Sequence, residues 1–131
     1  MKTLIVEDDF TCRLLLLEYL KAYGLPHVAV NGKEVVEAVR MALEAGDPYQ
    51  LICLDLMMPE MGGQAALKQI RDLEEAKGIL STHGAKIVVT TALNDMKNVF
   101  TAFSSLGDAY LVKPIDRTKL LEIVRRLGLI Q

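Results

Sequence analysis

The chain has 131 residues, the size of one ordinary domain, and 51% of them are hydrophobic, enough to bury a full core. Aromatics are scarce at 5% and tryptophan is absent, so that core is aliphatic. A net charge of −2 with no long basic run argues against binding nucleic acid through a broad basic face, and no apolar run approaches the roughly 20 residues that span a bilayer. Met1-Lys2-Thr3 leads straight into a strand with no secretory signal. The two cysteines, Cys12 and Cys53, lack metal-ligand spacing. Both read as reduced thiols, and the expected location is cytoplasmic.

Taken in order, the pattern alternates strand and helix five times. The first predicted strand, 3–7, carries the run Leu4-Ile5-Val6 and closes on Asp8 and Asp9. A helix over 10–23 follows, with Cys12, Leu15, Leu16, Tyr19, Leu20 and Tyr23 as its inward face. Leu14 and Leu17 point the other way, beside Glu18 and Lys21, either as stray exposed leucines or as a docking patch for a partner helix. Gly24 stops this helix. Next come a strand over 26–30, a helix over 33–45 ending at Gly46, and the strand 50–55, whose run Leu51-Ile52-Cys53-Leu54 closes on Asp55. A helix over 63–77 ends at Gly78, and 79–84 reads as a surface loop. The strand 86–91 ends at Thr90-Thr91. Beyond it a helix over 95–105, with Asn94 placed to cap it, shows an apolar stripe at Met96, Val99, Phe100 and Phe103. The last strand, 109–112, runs into Lys113-Pro114, and a helix over 116–127 follows, with Asp116 to cap it and Gly128 to stop it.

Such alternation predicts an α/β fold, a doubly wound parallel sheet joined by right-handed crossovers. Ligand sites of such sheets lie outside the carboxyl ends of the strands. All those ends share one edge, which therefore collects Asp8, Asp9, Asp55, Thr91 and Lys113. Three carboxylates gathered there repel one another. A divalent cation offsets the repulsion and leaves open positions for phosphate oxygens. A carboxylate already ionised at neutral pH can act as a nucleophile, a hydroxyl can bond a phosphoryl oxygen, and a lysine supplies a point charge against developing negative charge. Each residue alone has a plain reading as a turn former, cap or solvated charge. Together they read as a phosphoryl-handling site.

In these residues the chain resembles a stand-alone, chemotaxis-regulator-like receiver domain of two-component signalling. The matching pieces are Val6-Glu7-Asp8-Asp9, Leu54-Asp55-Leu56-Met57-Met58-Pro59-Glu60-Met61 with Gly63, Thr90-Thr91-Ala92 and Tyr110-Leu111-Val112-Lys113-Pro114-Ile115. The resemblance runs over the whole length, 1–131. It implies a five-stranded, flavodoxin-like three-layer sandwich with strand order 2-1-3-4-5 and no output domain. Asp55 would accept a phosphoryl group from a phosphohistidine on a sensor histidine kinase or histidine phosphotransfer protein. Asp8 or Asp9, Asp55 and the backbone carbonyl of Met57 would bind magnesium (or manganese), with Asp9 the more direct of the acidic pair. Lys113, Thr91 and Ala92 would contact the phosphoryl group, and Thr91 and Tyr110 would switch together. A cis Lys113-Pro114 bond is expected. Met57 and Leu93 would flank the phosphoryl group, and as apolar residues they would slow its hydrolysis. Pro114 and Ile115 join Leu14 and Leu17 as candidate docking residues. Gly62 departs from the family, which often has Asp there, and that departure bears on the loop cap and not on the site. The implied product is a phosphoprotein, a signalling acceptor rather than an enzyme, acting on a downstream protein as a monomer or a phosphorylation-dependent dimer.

Three rival readings are weaker. A phosphohydrolase with an aspartyl nucleophile needs an Asp-x-Asp pattern after the first strand, where this chain has Glu7-Asp8-Asp9-Phe10-Thr11. A flavin carrier needs a Ser/Thr/Gly-rich phosphate loop at the same place. A pseudo-receiver would not keep Asp9, Asp55, Thr91 and Lys113 together.

Overall fold

In a computed structural model of the chain, residues 1–57, 62–80, 83–92 and 107–131 are described. They form five strands and four α-helices: β1 (Thr3–Val6), α1 (Phe10–Leu20, continued by a 3-10 turn at Lys21–Tyr23), β2 (His27–Ala29), α2 (Gly32–Glu44), β3 (Leu51–Asp55), α3 (Gly63–Ala76), β4 (Lys86–Thr91), β5 (Ala109–Val112) and α4 (Arg117–Arg126). All pairings are parallel, in the order β2-β1-β3-β4-β5. The expected order therefore holds, with boundaries shifted by at most three residues and those of β4 and β5 unchanged. The stretch read as a helix over 95–105, with its stripe from Met96 to Phe103, lies outside the described residues.

Side chains alternate across the strands, so β1, β3, β4 and β5 each feed two cores, while the edge strand β2 gives only Ala29 to one of them. Leu4, Val6, Ile52, Leu54, Ile87 and Val89 meet α2 and α3 on one face. Ile5, Leu51, Cys53, Val88 and Leu111 meet α1 and α4 on the other. On α3 the buried positions Gly63, Ala66, Leu67, Ile70 and Glu74 recur at helical spacing and seat it on the first of these cores.

Side-chain caps start three of the helices. Asp9, Asn31 and Asp116 accept from the backbone N–H of Cys12, Glu34 and Lys119. The fourth, α3, starts at Gly62 without a side-chain cap, which resolves the question that the departure at Gly62 raised. Gly63 has a separate constraint. A Cβ there would lie 2.5 Å from the carbonyl oxygen of Asp55, so only glycine lets α3 start this close to the end of β3.

The inward face of α1 differs from expectation. Leu16 and Leu20 are fully buried, and Leu17 packs against the same core, whereas Leu15 and Leu14 are exposed. A helix of eleven residues can bury only one stripe of its leucines, and this stripe centres on Leu16 and Leu20.

Candidate phosphoacceptor site

The carboxyl ends of β1, β3, β4 and β5 stand side by side, and the register fixes which residues meet. Val6 pairs with Leu54, so the next residues, Glu7 and Asp55, leave neighbouring strands abreast. Asp55 in turn pairs with Thr90, and Thr91 with Val112, just before Lys113. Carboxylate oxygens of Glu7, Asp8 and Asp55 lie within 4.8 Å of one another. Glu7 and Asp55 are buried, at 0% and 2% exposure, while Asp8 opens to solvent. Lys113 reaches into this acidic group. Its Nζ lies 2.6 Å from Glu7 Oε1 and 3.2 Å from Asp55 Oδ2.

The electrostatics follow from that packing. Burial pushes the Asp55 carboxyl up from 3.8 to about 6, and its hydrogen bond with Glu7 adds to the rise. The N–H of Met57, 3.0 Å from Asp55 Oδ1, and the charge of Lys113 pull the other way. Burial also raises Glu7, but hydrogen bonds involving Lys113, Asp55 and Cys12 outweigh it and hold that carboxyl below its ordinary range. Lys113 is pulled down by burial and carried up to about 12 by its two carboxylates, so it stays an ammonium group. Burial pushes the thiols of Cys12 and Cys53 to about 12, which keeps both protonated.

The structure assigns the acids differently from the sequence. Asp9 is not in the three-carboxylate group. Its Oδ2 caps α1 by accepting from Cys12 N–H at 2.8 Å. Glu7 takes its place, a residue that reads from sequence as the last position of β1. The available signal was the strand end itself, because the first polar residue past Val6 falls opposite Asp55. Thr91 is fully buried, and its hydroxyl donates to the Ala92 carbonyl at 3.4 Å. Thr90, abreast of Asp55, has a buried hydroxyl without a hydrogen-bond partner among the described residues. Tyr110 is half-buried against the α2–α3 core. The Lys113-Pro114 bond is cis. Met57 is exposed at 66%; Leu93 lies outside the described residues. Two docking candidates turn inward instead, Leu17 partly and Ile115 fully. Leu17 packs beside Leu16 and Leu20, and Ile115 is 4% exposed, leaving Leu14 and Pro114 on the surface.

An all-oxygen cluster of three carboxylates, one of them open to solvent, fits a hard divalent cation such as magnesium or manganese. A parallel α/β sheet with this cluster and a lysine at its carboxyl edge defines a class of proteins that handle phosphoryl groups. Comparison with known proteins makes the class specific. The model of the response regulator receiver domain matches residues 3–125, and the chain belongs to that family: it is a receiver domain of two-component signalling. The transcriptional regulatory protein SrrA of Staphylococcus aureus is 33% identical over 125 residues, covering 95% of this chain and 46% of that protein. The chain spans less than half the length of the first curated relatives that it matches. Among solved structures, the receiver domain of the yeast response regulator Ssk1, crystallised with the phosphotransfer protein Ypd1 of Saccharomyces cerevisiae, superposes with a TM-score of 0.76 at 31% identity, covering 95% of this chain and 86% of that one. The receiver domain of the Arabidopsis thaliana histidine kinase CKI1, complexed with Mg2+ and BeF3−, gives 0.75 at 25% identity, with 97% and 89% covered.

Proposed function

We propose that Asp55 accepts a phosphoryl group from a phosphohistidine on a sensor kinase or histidine phosphotransfer protein, with a divalent cation held by Glu7, Asp8 and Asp55. The observation that carries this reading is the position of Asp55: a buried carboxylate wedged between two other acids and an ammonium group 3.2 Å away. The CKI1 receiver's Mg2+ and BeF3− and the Ssk1 receiver's phosphotransfer partner support it.

A carboxylate oxygen of Asp55 attacks phosphorus. The phosphorus–nitrogen bond of the donor breaks, and its electron pair stays on the imidazole nitrogen, which takes up a proton. Magnesium, when bound, supplies positive charge to the phosphoryl oxygens. Lys113 draws the same charge from the other side, at a position where its ammonium already meets Asp55. The Met57 N–H fixes one Asp55 oxygen and leaves the orientation of the other to Lys113. Little else is needed, since the transfer rests on positioning and charge.

The acceptor is used once per event, so the chain is a signalling phosphoprotein and not a turnover enzyme. The added charge draws the Thr91 hydroxyl from the Ala92 carbonyl toward the phosphoryl oxygens, and Tyr110 moves into the space behind it. The altered face then meets a downstream protein. Leu14 on α1 and Pro114 after β5, both exposed, offer the donor a rim to dock on. Incubation with acetyl phosphate and magnesium, followed by intact mass, tests the proposal. The wild type is expected to gain one phosphoryl group and Asp55→Asn none. Equal gain in both would overturn it.

A further inference from the structure

Arg13, on the first turn of α1, bears on the acidic cluster without belonging to it. Its Nη1 donates to the Glu7 carbonyl at 3.0 Å and lies 3.4 Å from the Asp8 carbonyl. Its guanidinium sits 5.6 Å from the centroid of the Phe10 ring, although that ring is 63% exposed. We propose that Arg13 is a positioning residue that holds the segment Glu7-Asp8 in the conformation in which its carboxylates share a cation with Asp55.

The segment's other ties show why an arginine matters here. Glu7 N–H is held by the Ala29 carbonyl at 3.0 Å, the last ladder bond of the β1–β2 pair. Asp9 N–H donates to Glu7 Oε2 at 3.2 Å, and Asp9 itself caps α1. Both ends of the acidic segment are thus fixed. The peptide planes between them are held through their carbonyls, and the donor to those carbonyls is Arg13. Glu7 has a second restraint, its ion pair with Lys113. Asp8 is exposed, and among the described residues no side-chain hydrogen bond holds it, so its direction depends on its backbone. If those planes are freed, Asp8 leaves the cluster first. The guanidinium also places a positive charge beside carbonyls that back three crowded carboxylates. Phe10 keeps that charge from swinging into solvent.

The inference rests on the proposed cation site, and the test separates the two. Manganese binding to the wild type, Arg13→Gln, Arg13→Lys and Phe10→Ala is measured by calorimetry at pH 7.5, and the magnesium dependence of acetyl phosphate labelling is measured in parallel. Arg13→Gln is expected to weaken manganese binding about tenfold, roughly the loss of one charge-assisted hydrogen bond. It should raise the magnesium concentration for half-maximal labelling to match, with the rate at saturating magnesium within about threefold of wild type. Phe10→Ala should fall between, and Arg13→Lys should recover part of the loss. A merely structural role would lower thermal stability without this split. Manganese bound equally by wild type and Arg13→Gln would overturn the inference and leave the site intact. A wild type that binds no manganese would overturn both.

Discussion

At the scale of single residues, the site turns on which acids meet. Asn caps a helix as well as Asp does, so Asp9→Asn should keep α1 capped and leave magnesium affinity within about threefold of wild type. Asp8→Asn removes one of the three clustered carboxylates proposed to hold the cation and should weaken magnesium by tenfold or more. Calorimetric titration of both variants decides, and the reverse order would restore Asp9 to the cation site. Asp55 carries a pH dependence of definite sign. Its folded value, about 6, lies above the ordinary 3.8, so the folded protein holds the proton more tightly than the unfolded chain. The stability that goes with that proton is present below pH 4 and is lost as pH rises through about 6. The rise is worth at most about 3 kcal/mol. Glu7, held low by Lys113, Asp55 and Cys12, contributes an opposite slope, lost as pH falls. Urea melts of metal-free wild type and Asp55→Asn, paired at each pH, remove most of that slope. The wild type should lose ground to the variant between pH 4 and 7, and a gain would contradict the assignment. Asp55 and Lys113 could be read from the chain because each ends an unmistakable apolar run. Glu7 could not, since a shift of one residue in a strand's end decides whether it counts as strand interior or as site.

At the scale of elements, the strands were readable because their short apolar runs are bounded by glycine and acid, and four of the glycines that punctuate the helices do take positive φ. The facing of α1 was not, because leucines occupy four consecutive positions, 14–17, and periodicity is silent when every direction is apolar. A second feature escaped altogether. At the amino edge of the sheet, Arg71 Nη1 lies 2.8 Å from Glu74 Oε1 and donates to the Ala85 carbonyl, while Nη2 lies 3.0 Å from Asp108 Oδ2. Glu74 accepts from Ala85 N–H at 2.7 Å, and Asp108 from Ile87 N–H at 2.8 Å. This network ties the end of α3 to the starts of β4 and β5. Its members are far apart in sequence, and although Glu74 falls on the buried face four residues past Ile70, a glutamate near the end of a helix reads as a solvated charge. Glu74→Ala leaves a buried guanidinium short of one partner and should cost about 3 kcal/mol in urea unfolding, with the slope unchanged. A cost under about 1 kcal/mol would mean that the arginine's other partners, Asp108 and the Ala85 carbonyl among them, suffice.

At the scale of the molecule, the two edges of the sheet divide the work. At the amino edge one arginine shared by two carboxylates ties α3 to the starts of β4 and β5, and two aliphatic cores cover both faces of the sheet. That framework lets the carboxyl edge keep three carboxylates within 4.8 Å of one another, a crowding that a bound cation would relieve. A parallel sheet was foreseeable because alternation of strand and helix leaves few ways to wind one, and its strand ends then share one edge; the order itself followed from the resemblance to the receiver family. The acceptor itself can be marked chemically. Borohydride reduces an acyl phosphate to an alcohol, so protein phosphorylated with acetyl phosphate and magnesium, then reduced and digested, should carry homoserine at position 55 and aspartate at positions 8 and 9. Reduction elsewhere, or none at all in protein that has taken up phosphate, would contradict Asp55 as the acceptor.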